Sequence, residues 1–190
     1  VATAGHCVGD IKPNWAVFDY RIDNVWKQGL EIPRVNAHRV SLLNQGVGGE
    51  DLALYRLDPP VRASERTPVK IRAEGLLPYV SKGERVFSAG HPDGLPLKIV
   101  LSGTVLRRDK RHLVTNLDLF QGNSGSPVFS RLRGPRELVG IVVSGREDYV
   151  PNGNCEITNH CISNGKNPCA PDEAAVNAHF VADALAKIPR

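Results

Sequence analysis

Gly122-Asn123-Ser124-Gly125-Ser126-Pro127-Val128-Phe129 is the stretch from which the rest of the chain can be read. A serine set in a Gly/Asn turn and followed at once by the strand-like Val128-Phe129 is presented from a tight bend at the mouth of a strand. Two further islands belong with it, Thr3-Ala4-Gly5-His6-Cys7 and Asp51-Leu52-Ala53-Leu54, so that His6, Asp51 and Ser124 follow one another along the chain. A serine hydroxyl is a poor nucleophile at neutral pH and needs an adjacent base to take its proton. His6 is the candidate base. A neutral imidazole must itself be held in one tautomer and stabilised once protonated, which a carboxylate on its other nitrogen achieves. Asp51 suits that task, since it opens an alternating run to Leu57 that reads as a strand with its acid at the start. Gly122, lacking a Cβ, can adopt a backbone conformation that turns its N–H toward the reacting centre. With the Ser124 N–H it would form an oxyanion hole. Taken singly, the serine island could be a plain turn and Asp51 a solvated strand start; the conjunction of the three decides.

The order His, Asp, Ser is that of the double β-barrel proteases, and the islands resemble the trypsin/chymotrypsin superfamily. The match is closest to its bacterial branch of trypsin-like and glutamyl-endopeptidase-like secreted proteases, whose nucleophile segment residues 122–129 resemble. The resemblance implies an all-β, trypsin-like double β-barrel with a C-terminal helix. It implies a serine endopeptidase that cleaves polypeptide through an acyl-enzyme intermediate, secreted or periplasmic, monomeric, and without cofactor or metal. Several strands precede the histidine in that superfamily, whereas His6 is the sixth residue here, so the first barrel is expected to be incomplete at its N-terminus. Asp118 stands six positions before Ser124, the offset of trypsin's specificity-pocket aspartate, and with Gln121, Val143 and Gly145 it is the implied substrate-binding set. Asp118 could equally cap a turn or pair with a surface arginine. Phe120 stands where a cysteine normally follows that aspartate, Asn123 where trypsin has an aspartate that pairs with a new N-terminus, and Val143 lies in the run where glutamyl endopeptidases carry an acid-binding histidine. Neither that activation switch nor acidic specificity is therefore implied. The competing reading is a catalytically inactive, protease-like binding protein. An α/β-hydrolase is excluded by the order and by Ser126, which occupies the place of that elbow's second glycine.

Composition agrees with a β-rich globular chain. Of 190 residues, 41% are hydrophobic, and 18 Gly and 14 Pro punctuate short alternating apolar runs. The net charge of +4 and a pI near 9.0 raise the question of a polyanionic partner. The one basic cluster, Arg107-Arg108-Asp109-Lys110-Arg111, reads as a solvated turn between strands, so no nucleic acid partner is expected. No apolar run approaches bilayer length, and no membrane partner is expected.

Strands are expected over 15–20, 35–43 and 52–57 in a first barrel, and over 85–89, 97–106, 113–116, 126–129 and 138–144 in a second. The divisions are 1–70, 71–171 and 172–190, the last a helix capped by Asp172 with apolar residues from Ala174 to Ile188 at helical spacing. His91 reads as a turn or packing residue and His179 as a structural or surface residue. Cys7, Cys155, Cys161 and Cys169 make an even count, and disulfides are the default in a chain of exported appearance. The resemblance pairs Cys7 with a cysteine upstream of Val1, leaving a bridge among the three tail cysteines. A zinc site from those three and His160 lacks the usual Cys-x-x-Cys spacing.

Overall fold

Glu137–Ser144, with five consecutive buried residues from Leu138 to Val142, organises the molecule. A strand buried on both faces reads as an unbroken apolar run, because neither face meets water. The computed structural model describes residues 1–8, 15–27, 37–72, 80–131, 136–159 and 172–188. In chain order the strands are β1 (Ala2–Ala4), β2 (Trp15–Val17), β3 (Ala37–Gln45), β4 (Leu52–Asp58), β5 (Lys70–Ile71), β6 (Arg85–Gly90), β7 (Lys98–Arg108), β8 (His112–Thr115), β9 (Pro127–Ser130), β10 (Glu137–Ser144), β11 (Tyr149–Asn152), β12 (Cys155–Thr158) and β13 (Glu173–Asn177). Helix α1 spans Ile22–Lys27 and α2 spans His179–Ala186.

Two sheets carry the fold. In the second, β13-β8-β7-β6-β9-β10 run side by side and β10 pairs back onto β13, closing a six-stranded barrel, with β5 added parallel to β10 outside the ring. Closure removes free strand edges. Val86, Val105, Leu113, Leu117, Val128, Val139 and Val142 fill its interior. The first sheet, β1-β4-β3-β2, does not close and forms a half-barrel. Its β4 is buried from Leu52 to Tyr55, while β3 leaves Leu42 and Leu43 about two-fifths exposed. Leu52, Leu54, Leu138, Ile141, Ala178 and Val181 join the half-barrel, the barrel and α2 in one shared core.

The expected terminal helix is corrected at its start. Glu173–Asn177 is a strand, α2 begins only at His179, and its N-cap is Ala178 without a side-chain cap bond, so Asp172 caps nothing. Ala174 and Ala175 are good helix formers, but propensity is worth only about 0.5 kcal/mol per residue. Pairing on both sides, to β8 and to β10, completes the barrel and outweighs it. The division at residue 71 also shifts, because Lys70 and Ile71 already belong to the second sheet. Strands β1, β5, β11 and β12 and helix α1 have no counterpart in the sequence reading. Of the cluster expected to be a turn, Arg107 and Arg108 end β7, and only Asp109 to Arg111 turn the hairpin, closed by Asp109 Oδ1 accepting the N–H groups of Arg111 (2.7 Å) and His112 (2.8 Å). Cys7 and Cys155 are free thiols; Cys161, Cys169 and His160 lie outside the described residues.

Candidate active site

Three short chain segments meet where the half-barrel faces the closed barrel. Strand β1 pairs antiparallel with β4, Ala4 opposite Leu52, so the second residue past one strand and the residue just before the other come to the same sheet end. Those residues are His6, in a 3₁₀ turn over Gly5–Val8, and Asp51. Asp51 accepts twice: Oδ1 from the His6 backbone N–H and Oδ2 at the His6 Nδ1, both 2.6 Å. The pair is half-exposed, with the His6 side chain 49% and Asp51 37% accessible. Gln45 Nε2 donates to Gly5 O at 2.9 Å and steadies the turn.

The Ser124 loop is held by its neighbours. Asn123, 5% exposed, donates from Nδ2 to Phe120 O at 2.7 Å and accepts from Ser126 Oγ at 3.3 Å. Gly125 N–H and Val142 N–H tie the loop to β10 at 2.8 and 2.9 Å. Gly122 has φ of +87°, the left-handed region expected of it, and a Cβ there would fall 2.6 Å from Asp93 N. Among the described residues neither the Gly122 nor the Ser124 N–H is bonded to a protein acceptor. On the other side Gly125 abuts Thr3, and Cys7 Sγ lies 3.8 Å from Ser124 O, so the loop rests on the segment that carries His6. No Ser124 Oγ–His6 hydrogen bond is formed among the described contacts. Such bonds commonly tighten only when substrate is bound.

Beside Ser124 opens a cavity of about 270 Å³. Gln121, Gly122, Ser124, Ser144, Gly145, Asp148 and Glu173 are among its walls. Of the expected substrate-binding set, Gln121 and Gly145 lie there; Val143 does not. Val143 is the bulged residue of β10, between the pairs Val142–Ala175 and Ser144–Ala174. Asp118 lines a neighbouring, more apolar cavity with Ser88, Lys98 and Val100, although its charge still reaches Asp148 and Glu173. Burial pushes the Asp148 carboxyl up, opposed by the Gln121 N–H that donates to Oδ2 at 2.6 Å. Burial, then the charges of Asp148 and Asp118, raise Glu173 to about 8.

Sequence reading missed Glu173, Asp148 and Glu50. Glu50 is buried next to Asp51 and pairs with Arg111 of the β7–β8 turn and with Nε2 of His112 (3.4 Å) at the start of β8, bridging the two sheets. No local signal marks these residues, because each acquires its partners across the fold. His91 and His179 behave as expected: His91 Nδ1 meets Leu95 O at 3.1 Å and its ring stacks on Tyr20, while His179 packs on Phe180. No cluster of metal-ligating side chains occurs among the described residues.

A family model of trypsin-like peptidase domains matches residues 1–141. No curated protein sequence matches the chain. Among solved structures, a Glu endopeptidase in complex with MPD is 17% identical with a TM-score of 0.63, the alignment covering 98% of this chain and 80% of that one. A serine endoprotease from Yersinia pestis gives the same identity, TM-score and coverage of this chain, which spans 52% of that protein. At such identity these likenesses concern the fold.

Proposed function

The chain belongs to the trypsin-like peptidase domain family, and from that membership we propose that it is a serine endopeptidase, secreted or periplasmic and monomeric, working through Ser124, His6 and Asp51. The observation that supports this best is the 2.6 Å contact of His6 Nδ1 with Asp51 Oδ2, on a segment against which the Ser124 loop rests. With Nδ1 engaged by the carboxylate, Nε2 is the nitrogen left to act as base.

Ser124 Oγ attacks the carbonyl carbon of a peptide bond while its proton passes to His6 Nε2. The carbonyl oxygen takes up negative charge between the N–H groups of Gly122 and Ser124, a donor being worth about 3–4 kcal/mol of barrier in the oxyanion hole of a serine protease of different fold. Asp51 stabilises the imidazolium. The tetrahedral adduct collapses as the C–N bond breaks, and the leaving amine takes the proton from Nε2, which leaves an ester on Ser124. Water then attacks that ester, giving its proton to His6; the second collapse releases the acid and returns the proton to Ser124 Oγ. No helix of the described residues is long and apolar enough to cross a membrane.

Labelling with a fluorophosphonate, which reacts with an activated serine, tests the reading. The adduct is expected on Ser124, and Ser124→Ala or His6→Ala is expected to lower turnover on the order of a million-fold with substrate binding retained. Persistent hydrolysis by Ser124→Ala would overturn the assignment. Peptide binding without labelling would instead identify a protease-like binding protein.

A further inference from the structure

Glu173 opens β13, opposite Thr115 of β8 and next to the bulge at Val143 in β10. Bulges re-aim the chain beside them. Here β10 leaves the ladder at Ser144, and the following Gly145 crosses directly over the Glu173 carboxylate: a Cβ on residue 145 would lie 2.7 Å from Oε1 and closer still to Oε2. The absent side chain at 145 is what lets a glutamate 93% removed from solvent keep its carboxylate in the wall of the Ser124 cavity.

That cavity is acidic in a chain of net charge +4. Glu147, Asp148, Glu156 and Glu173 line it against a single Arg146, and Asp118 stands just behind. Glu173 accepts the Arg146 backbone N–H, and no described cationic side chain lies within ion-pair distance of it. A buried carboxylate without a cation is costly to keep ionised, and a ligand that brings the cation recovers that cost.

We propose that Glu173 is the specificity-determining residue of the Ser124 cavity and takes the guanidinium or ammonium group of an Arg or Lys side chain preceding the scissile bond. The assignment rests on the endopeptidase reading for its place in catalysis, but its recognition chemistry stands on the cavity alone. It also displaces Asp118, which lines the neighbouring cavity, from the direct role that the resemblance gives it. An apolar or acidic side chain in this cavity would leave Glu173 without its partner and be rejected. Gly145 is part of the device, since alanine there would drive the carboxylate out of place.

Two measurements separate this proposal from the one it rests on. Benzamidinium, a flat aryl cation, is titrated calorimetrically into Ser124→Ala, which has no chemistry to perform, and into the same variant with Glu173→Gln or Asp118→Asn. Binding is expected in the first, a loss on the order of a hundredfold with Glu173→Gln, and retention with Asp118→Asn. Because burial and then the charges of Asp148 and Asp118 keep a proton on Glu173, affinity is expected to rise about tenfold per pH unit toward pH 8. Peptide-library cleavage by the otherwise unaltered protein is the second measurement, with Arg or Lys favoured before the cut on the order of a hundredfold over Leu, Gln or Glu and that preference lost in Glu173→Gln. Efficient cleavage after Glu or large apolar residues, or collapse of benzamidinium binding in Asp118→Asn but not in Glu173→Gln, would sink the assignment. Benzamidinium held through Glu173 in a chain that never labels on Ser124 would uphold the cation site and remove the protease reading.

Discussion

At the Glu137 end of β10, charges are closed on one another: Arg72 donates to Glu84 Oε1 and Glu137 Oε2 at 2.8 Å each, Lys70 meets Glu137 Oε1 at 2.6 Å, and Ser130 also bonds Glu84. At the Ser144 end of the same strand, Glu173 and Asp148 are held by the backbone N–H groups of Arg146 and Gln121, with more carboxylate and no described cationic partner. Both ends bury a glutamate almost completely, Glu84 at 8% and Glu173 at 7%. Burial alone therefore does not separate structure from function. What separates them is whether the fold supplies the counter-charge or leaves that place to a ligand. The titration behaviour follows: Lys70 and Arg72 hold the Glu137 carboxyl below the usual carboxylate range, whereas burial, Asp148 and Asp118 hold Glu173 far above it.

The comparison breaks first at Arg72. Removing the guanidinium leaves Glu84, 4% exposed at its side chain, buried and charged without a cation. Arg72→Ala is expected to cost about 3–5 kcal/mol in urea unfolding. A cost below about 1 kcal/mol would mean that this end of β10 is no more closed than the other.

The second contrast is in the sign of the pH dependence. Between about pH 4.5 and 8 the folded chain keeps a proton on Glu173 that the unfolded chain releases, so this residue's contribution falls as pH rises, by on the order of a few kcal/mol across the window. Glu137, depressed when folded, acts oppositely, its contribution being lost as pH falls below the unfolded carboxylate value. Unfolding of Glu173→Gln across pH 5 to 9 is expected to lack the decline that the parent shows up to about pH 8. Parallel curves would show that Glu173 is ionised in both states. The smallest effect belongs to Lys70, whose side chain is 57% exposed; Lys70→Ala is expected to change stability by less than about 1 kcal/mol, and a larger loss would place it with Arg72 in the buried network.

The half-barrel and the barrel differ in how legible they are. Strands β6 to β10 follow the expected runs closely, because alternating or unbroken apolar residues flanked by Gly and Pro leave little choice of period. Strand β13 is misread as helix because Ala174-Ala175-Val176 suits a helix face locally, and only β8 and β10 standing unpaired on either side make it a strand. The two-residue β5 and the three-residue β1 are too short to show a period at all.

The sequence by itself determined the residues proposed for the chemistry. His6, Asp51 and Ser124 stand in local motifs whose turn residues, Gly5, Gly122 and Gly125, serve backbone needs that act over a few positions. Only the tertiary structure decided what surrounds them: that Asp51 reaches the His6 backbone N–H and Nδ1, that Asp118 lines a neighbouring cavity, and that Glu173, 49 positions beyond Ser124, enters the cavity beside it. A motif records interactions between near neighbours, whereas the charge at the wall of a cavity depends on which strands close the barrel, and closure is a property of all six strands together.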